Sequence, residues 1–413
     1  MANKKAKHIK TQVLIIGGGL SGLTMAAVLA ESGVNVVCID RDDPKKQGSR
    51  KYDGRTTAIS YASHKVIKAA GAWEEMLKHS APILDIRVVD NNSPVFLHFD
   101  SEEDGKGEAF GWVIDNMLMR ECLFKNIKRL KKHATHLAPA EIKKFIKEDS
   151  CVGITLKDGT KITAPLMIGA DGRQSATREW LGIDVTKSDY HQTAIVCNAA
   201  HEFDHENVAV ENFRPSGPFA ALPMTTDKKD GFRSSIVWSE HGTDANEITK
   251  LPAKEFDARL QELAGDSLGK IRHVSKPMAY PLSLMLAKSY IGHRTALIAE
   301  AAHAVHPIAG QGLNLSMRDV ALLSELITDN LKLGLDIGSP SILKKYERIR
   351  KTDTHLMAAV TDILTRLFSN NLRSVKLIRN IGLGAVQRMP FLKRYFAKQA
   401  MGLSGVQGKI IKN

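Results

Sequence analysis

The chain has 413 residues, 43% hydrophobic and 25% charged, which is longer than one ordinary core, so we expect two packed units with appendages. Its four cysteines are too scattered for a disulfide scaffold, which indicates a reducing, cytoplasmic compartment. The net charge of +13 lies at the two ends, because ten basic and no acidic side chains follow Asp362 while the body is close to neutral. A neutral body without zinc-finger spacing argues against a nucleic-acid partner.

The first predicted unit is a strand, a tight turn, a helix and a second strand near the amino terminus. An apolar strand leads into the glycine-rich sequence GGGLSG at 17–22, and the second apolar strand ends at Asp40. In such a turn Gly17 permits a sharp bend, Gly19 lets a pyrophosphate approach, and Gly22 lets helix and strand pack closely. Asp40 can accept hydrogen bonds from an adenosine ribose. The spacing predicts dinucleotide binding and leaves NAD and FAD both open.

Two later apolar runs also end in turns. One ends in Asp171-Gly172, which puts a carboxylate at the carboxyl edge of a sheet, although a plain turn explains that pair equally well. The other leads through Ala299-Glu300 to residues 310–314, which begin a predicted helix. Backbone N–H groups at such a helix start can face an anionic or electron-rich ligand.

At these motifs the chain resembles the flavoprotein aromatic monooxygenases of the para-hydroxybenzoate hydroxylase type, and within them the ubiquinone-biosynthesis hydroxylases of the UbiH/UbiF group. The resemblance runs from about residue 12 to about residue 402. It implies an α/β fold, with a Rossmann-like FAD-binding domain, an inserted β-sheet substrate domain and C-terminal helices. The implied units are a discontinuous FAD-binding domain at 1–80, 98–183 and 285–345, a substrate-binding sheet at 184–284, and a basic helical region at 346–413.

The resemblance also implies which residues hold FAD. Arg55 resembles the family arginine that approaches the flavin diphosphate, and the aspartate–glycine pair is implicated in holding both flavin and reduced nicotinamide, with Arg178 behind it. Where the family has Gly-Asp, whose aspartate binds the ribityl chain, this chain has Ala299-Glu300; an acid that complements a helix dipole explains Glu300 equally well. The predicted FAD-binding residues are Gly17, Gly19, Gly22, Asp40, Arg41, Arg55, Arg120, Asp171, Gly172, Glu300, Pro307, Gly312, Leu313 and Asn314.

The middle region alternates apolar and polar residues as a half-buried sheet does, and its aromatic side chains suit either a substrate wall or a core. We predict that Phe213, Leu222 and Trp238 contact the substrate. No catalytic acid or base can be assigned. No metal site is predicted, because the pair His303 and His306 does not form part of a recognisable ligand set.

The implied function is that of an FAD-dependent monooxygenase, which uses O₂ and a flavin C4a-hydroperoxide to hydroxylate the ring of a polyprenylphenol in ubiquinone (coenzyme Q) biosynthesis. The sequence has no second glycine fingerprint, so the electrons come from transiently docked NAD(P)H or from a redox partner. Two alternatives remain open. One is hydroxylation of a small soluble aromatic such as salicylate or kynurenine, and the other is a non-catalytic flavin-binding subunit of a membrane-associated complex.

The basic carboxyl-terminal region is expected to contact an anionic membrane, because a polyprenyl substrate lies in the bilayer. Apolar residues at 364–378 share helical faces among basic ones, and packing on the flavin domain is the alternative for them. We therefore expect a cytoplasmic protein with peripheral contact at the inner face of the cytoplasmic membrane. Other ubiquinone-biosynthesis proteins are potential partners.

Overall fold

A computed structural model describes residues 7–49, 53–90, 96–306, 310–368, 386–405 and 408–412. In chain order its strands are β1 (His8–Lys10), β2 (Val13–Ile16), β3 (Val36–Ile39), β4 (Thr56–Ser60), β5 (Ala81–Ile83), β6 (Asp85–Asp90), β7 (Phe96–Asp100), β8 (Gly111–Asp115), β9 (Ala134–Leu137), β10 (Ile142–Lys147), β11 (Val152–Leu156), β12 (Lys161–Ala164), β13 (Leu166–Gly169), β14 (Val185–His201), β15 (Val208–Phe213), β16 (Phe219–Asp227), β17 (Gly231–His241), β18 (Ile271–His273), β19 (Met278–Ala287), β20 (Ile291–Gly292), β21 (Thr295–Leu297) and β22 (His303–Ala304).

The α-helices are α1 (Leu20–Glu31), α2 (Pro44–Gln47), α3 (Tyr61–Ala69), α4 (Trp73–Leu77), α5 (Asn116–Arg129), α6 (Ala176–Trp180), α7 (Gly242–Ile248), α8 (Ala253–Ala264), α9 (Gln311–Lys332), α10 (Pro340–Phe368), α11 (Pro390–Ala400) and α12 (Lys409–Lys412). A 3₁₀ turn, Ala299–Ala301, follows β21. Predicted site residue Pro307 lies outside the described residues, as do residues 369–378 of the predicted basic helical faces.

A six-stranded sheet forms the centre of the nucleotide-binding half, in the order β20-β21-β13-β2-β3-β9. All its pairs are parallel except β20 with β21. Its central strands β2, β3 and β13 are wholly buried apolar runs, because α1, α5 and α9 cover one face and the sheet β1-β12-β11-β10 covers the other. The fold class predicted from the sequence, a Rossmann-like α/β unit with an inserted sheet, is confirmed.

The second large sheet has nine strands in the order β22-β19-β14-β17-β16-β15-β6-β7, with β18 beside β14. Helices α7 and α8 cover its outer face. Its inner face turns toward the small sheet β4-β8-β5, whose strands lie between β3 and β9 in the chain. Strands β6, β7 and β22 belong to this sheet although they lie outside the predicted range 184–284, because strand pairing joins segments that are distant in the sequence.

An apolar group, which we call the inner-wall cluster, fills the space between this inner face, the small sheet and the C-terminal helix α11. Its buried members are Ile83, Leu97, Phe99, Phe110, Val113, Ala209, Phe213, Met224, Ala397 and Met401.

The chain end returns to the body. Ile411 of α12 is buried in the main core, and Lys409 forms an ion pair with Asp329 of α9 at 2.6 Å. Within the ranges described above, no helix is long and apolar enough to cross a membrane.

Candidate active site

The first glycine turn has the shape that its residues predict. Gly17 has φ +106°, and a Cβ atom there would lie 2.3 Å from the Ala170 carbonyl oxygen. A Cβ on Gly22 would lie 1.9 Å from the Gly17 oxygen, whereas a Cβ on Gly19 would meet nothing within 4 Å. Helix α1 begins at this turn without a side-chain cap and without an acidic residue in its first turn. Its free N–H groups and the open space at Gly19 therefore form an anion cradle.

Asp40 lies beside this cradle. Its Oδ2 accepts a hydrogen bond from the Gly18 N–H at 2.6 Å, and its Oδ1 accepts one from Asp42 N–H at 2.7 Å. A carboxylate has further lone pairs, so Asp40 can also accept hydrogen bonds from ribose hydroxyls. The neighbouring Arg41 is exposed.

No motif marked His136, the second-to-last residue of β9, which lies at the same edge of the sheet. Its buried Nε2 has no hydrogen-bond partner, and a Cβ on Gly18 would lie only 2.7 Å from that atom. Burial lowers the pKa of His136 despite the nearby charge of Asp40, so the ring is kept neutral. A neutral imidazole at this point can bond to a nucleoside.

A buried cluster around Asp53 positions two of the predicted arginines. Arg55 bonds Asp53 through Nε at 2.8 Å and a terminal nitrogen at 3.0 Å, and Arg120 bonds the same carboxylate at 2.7 Å. Asn116 donates to it as well, at 3.1 Å. Burial alone would raise the pKa of Asp53, but the two arginines outweigh burial and hold that pKa well below its usual range.

Arg55 remains open to a ligand while it is fixed by Asp53. Its side chain is 46% exposed, whereas that of Asp53 is 3% exposed. The guanidinium also lies 5.1 Å from the centre of the Tyr280 ring. Arg55 is thus a fixed cation that can meet a phosphate, while the buried Arg120 holds the same carboxylate from the other side.

The carboxylate of the Asp171-Gly172 turn accepts its hydrogen bonds from residues just after the turn. Asp171 accepts hydrogen bonds from the Ser175 hydroxyl at 2.5 Å and from the Thr177 N–H at 2.9 Å, and Gly172 has φ +78°. The alternative that Asp171-Gly172 is a plain turn therefore accounts for these hydrogen bonds. The guanidinium of Arg178 donates to the Ala301 carbonyl at 2.9 Å, which joins this turn to the next one.

The turn after β21 differs most from what the family pattern suggests. Ala299 adopts φ +56°, a left-handed conformation that favours glycine, which explains why the family pattern has glycine at this position. Its N–H donates to the fully buried carboxylate of Asp319 at 2.9 Å. Glu300 is 53% exposed and lies 3.5 Å from Arg173 Nε. The longer acid therefore stands at the surface of the turn in an ion pair.

Asp319 is the residue that holds this turn, and no motif pointed to it. It also pairs with His303 Nε2 at 2.7 Å and with Arg350 Nε at 2.7 Å, and all three side chains are buried. Burial would raise the pKa of Asp319, but the charges of His303 and Arg350 overcome that effect and lower it. His303 is therefore engaged in a structural network.

The start of α9 supplies the third backbone turn. Gly310 has φ +63° and gives no side-chain cap, so the first amides of α9 remain available. Asn314 fixes this helix start, because its Oδ1 accepts from Ser60 N–H at 2.9 Å and its Nδ2 donates to the Ala58 carbonyl at 3.0 Å. A Cβ on Gly312 would meet nothing within 4 Å, and Leu313 is half-buried against the main core.

The three predicted substrate residues lie on two different faces. Phe213 belongs to the inner-wall cluster and Leu222 packs against it. Trp238 instead lies in the core under α7 and α8, where its Nε1 donates to Glu240 at 2.7 Å. The structure thus brings Phe213 and Leu222 to the face that looks toward the flavin turns, and it turns Trp238 away from that face.

Comparisons with known proteins agree with this geometry. Residues 10–361 match a family described as an FAD binding domain, and the chain belongs to that family. It is a flavoprotein monooxygenase of the para-hydroxybenzoate hydroxylase type, an oxidoreductase, and the predicted resemblance is confirmed.

Individual proteins similar in sequence and in fold show where the chain stands within this class of monooxygenases. The chain is 46% identical to "Ubiquinone hydroxylase UbiL" of Rhodospirillum rubrum, over 94% of this chain and 89% of that protein. It is 30% identical to "Ubiquinone hydroxylase UbiM" of Neisseria meningitidis, over 95% of this chain and 85% of that protein. A solved structure, p-nitrophenol 4-monooxygenase PnpA from Pseudomonas putida, is similar in fold with a TM-score of 0.79 at 16% identity, covering 97% of this chain and all of that one.

The residues present fit FAD. The open cradle at Gly19, the uncapped start of α1 and the exposed guanidinium of Arg55 suit a diphosphate, and Asp40 suits a ribose. The uncapped start of α9 offers N–H donors to the electron-rich edge of a flavin ring.

Proposed function

We propose that this monooxygenase hydroxylates the aromatic ring of a polyprenylated phenol, an intermediate of ubiquinone biosynthesis. The carrying observation is the inner-wall cluster. Ala58, which packs against it, borders Gly310 at the flavin turn, with 3.3 Å between the Ala58 Cβ and a Cβ built on Gly310. The same cluster reaches Ala397 and Met401 of the C-terminal region. A continuous apolar zone from the flavin turn to the C-terminal helices suits a ring that carries a long isoprenoid chain better than a small soluble aromatic.

The chain's own residues bind and orient. The glycine turn and Arg55 would hold the FAD diphosphate, and the Asp53 cluster would keep Arg55 in place. The amides at the start of α9 would stabilise negative charge on the flavin ring. FAD, when bound, supplies the activation of O₂, while NAD(P)H or a redox partner supplies two electrons. The apolar inner wall would exclude water from the reacting ring.

A purified-enzyme assay tests this function directly. We expect a yellow protein that oxidises NAD(P)H faster with 2-geranylphenol than without it, or takes electrons from an added redox partner, and that adds one oxygen to the ring. Cells that lack the protein should accumulate a prenylphenol missing one ring hydroxyl. Unchanged quinone content in such cells would refute the pathway, and acceleration by salicylate but not by the prenylphenol would favour the soluble-aromatic alternative.

One variant distinguishes an enzyme from a non-catalytic flavin-binding subunit. Gly19→Ala should fold normally and lose FAD, because its Cβ fills only the cradle. Loss of hydroxylation in this variant is expected for an enzyme, whereas full complementation of the deletion by a protein without flavin would favour the non-catalytic subunit.

We also propose peripheral membrane contact through α11, at the inner face of the cytoplasmic membrane. Phe391 and Tyr395, one turn apart, are 61% and 55% exposed, and Arg394 and Lys398 lie beside them. Lys393 on the other side of the helix is bound to Asp104 at 2.9 Å, so only part of the basic excess is available. Aromatic side chains with neighbouring basic ones suit an anionic lipid surface, at about 1 kcal/mol per basic residue.

Point variants test this contact better than truncation, because removing the end would also strip the buried Ala397, Met401 and Ile411 from the core. The double variant Phe391→Ser, Tyr395→Ser should bind phosphatidylglycerol vesicles several-fold more weakly in a flotation assay. The matched control is Leu333→Ser, at an exposed leucine next to α9. Equal binding by the double variant and the wild type would refute contact through α11.

A further inference from the structure

The proposed reaction needs a group that can take the proton of the substrate hydroxyl, and none of the flavin-binding residues does so. Strand β15 carries one acidic side chain, Glu211, between Ala209 and Phe213. Side chains two residues apart on a strand share a face. Ala209 and Phe213 are buried members of the inner-wall cluster, so Glu211 points into the same space.

Strand pairing agrees with this direction. Glu211 is opposite Ala220 on β16 and opposite Val88 on β6. The neighbours of Glu211 on its own strand pair instead with the outer face, since Asn212 is opposite Phe219, which packs under α7 and α8. Glu211 is therefore the acid of β15 that faces the substrate wall.

The surroundings of Glu211 leave its carboxylate without a protein partner. Within the described parts of the chain, no hydrogen bond or ion pair reaches its side chain. Glu211 is partly exposed, whereas Ala209, Phe213 and Ala220 around it are buried. The carboxylate thus lies at the edge of the inner-wall cluster and not among its fully buried members.

The titratable or charged side chains on elements packed against this space are few among the described residues. They are Asp90 of β6, Tyr61 of α3, Arg233 of β17, and Lys393 of α11, which is already bound to Asp104. None of them contributes to the pKa of Glu211, which burial alone raises to about 7. A carboxyl with that pKa can both accept and return a proton near neutral pH.

We infer that Glu211 is the catalytic base that takes the proton of the substrate's ring hydroxyl; this rests on the proposed function. The O–H bond of the phenol breaks, its proton goes to a Glu211 carboxylate oxygen, and the electron pair stays on the ring oxygen. The phenolate ring is richer in electrons at the carbon to be hydroxylated. Overall, one phenol, O₂, NAD(P)H and a proton give the dihydroxylated ring, NAD(P)⁺ and water. Glu211 returns its proton once the new hydroxyl has formed.

The experiment compares the wild type with Glu211→Gln, Glu211→Asp and the control Glu206→Gln, at an exposed glutamate just before β15. Hydroxylation of 2-geranylphenol is measured from pH 6 to 9, and the ultraviolet band of the bound phenol is followed without O₂. General-base catalysis contributes about 10²–10⁴-fold, so we expect Glu211→Gln to lose at least 100-fold of product formation near pH 7. Glu211→Asp should recover part of the rate, and Glu206→Gln should behave as the wild type.

Two further readouts separate a base from a structural residue. In Glu211→Gln, ionisation of the bound phenol should move to higher pH, while flavin content stays equal and the melting temperature at pH 8 is equal or higher, since a neutral amide removes a buried charge.

Wild-type product formation and pH profile in Glu211→Gln would overturn the role of Glu211 alone. A lower melting temperature or lost flavin in that variant would overturn it in favour of a structural role. No product from the wild type would instead overturn the proposed function itself.

Discussion

Two turns of the flavin site, the glycine turn at 17–22 and the turn at 299–301, reach their shapes by different means. The first is fixed by residue types within one turn of chain, because only glycine fits where Gly22 approaches the Gly17 oxygen. In the second, Ala299 is held in a left-handed conformation by Asp319, which lies in the middle of α9 and is itself bound by Arg350 of α10. Similar strand ends can therefore depend on local residues or on distant side chains.

The largest loss of stability is expected when the second turn loses the side chain that holds it. Asp319→Ala leaves Arg350 as a buried cation without one of its carboxylates, so we expect the free energy of unfolding to fall by about 3–5 kcal/mol. Guanidinium unfolding measures this. Asp184→Ala removes the exposed pair with Lys288 and should cost less than about 1 kcal/mol. Similar losses in the two variants would contradict the assigned role of Asp319.

Two substitutions in the first turn should have the next largest effects. They distinguish a glycine that the backbone shape requires from a glycine that leaves room for a ligand. Gly22→Ala should destabilise the protein by about 1–3 kcal/mol, since its Cβ would collide with the Gly17 oxygen. Gly19→Ala should change stability by less than about 0.5 kcal/mol but lose bound FAD, because its Cβ meets only the cradle. Thermal unfolding and flavin absorbance after gel filtration distinguish the two. Normal flavin content in Gly19→Ala would argue against a diphosphate in the cradle.

The smallest change in stability is expected for a substitution at Ala299. Ala299→Gly removes a left-handed strain of about 1–2 kcal/mol, and the extra backbone entropy of glycine in the unfolded chain offsets about 0.5–1 kcal/mol of it. We expect a net gain of about 0.5 kcal/mol, seen as a slightly higher melting temperature. A clear loss of stability would mean that this turn does not carry backbone strain.

Much of the flavin site follows from local pattern. The residues Gly17, Gly19, Gly22 and Asp40 lie within one βαβ unit, so their spacing alone predicts the cradle that the structure contains. The partners Asp53 and His136 are not among the residues that this spacing predicts. Each reaches the site by long-range strand or helix packing, Asp53 to Arg120 on α5 and His136 from β9 to the glycine turn.

The faces of the nine-stranded sheet are a second feature that local sequence patterns do not predict. Alternation shows that β15 and β17 have two faces, but it does not say which face is covered by helices and which looks toward the flavin. The predicted substrate residue Trp238 therefore lies on the outer face under α8, and Glu211, which no motif marked, lies on the inner one.

The family, the α/β class and the shape of the glycine turn follow from the sequence alone, because these depend on residue types at short, fixed spacing. Packing between distant segments instead sets that Asp319 and Arg350 hold the second turn, that Glu300 stands in a surface ion pair, and that Glu211 lies on the inner face of its sheet. It also decided that the basic carboxyl-terminal region is partly neutralised, through Lys393 and Lys409. The physical reason is that buried charge pairs and sheet faces are set by contacts between segments far apart in the chain, which no local spacing records.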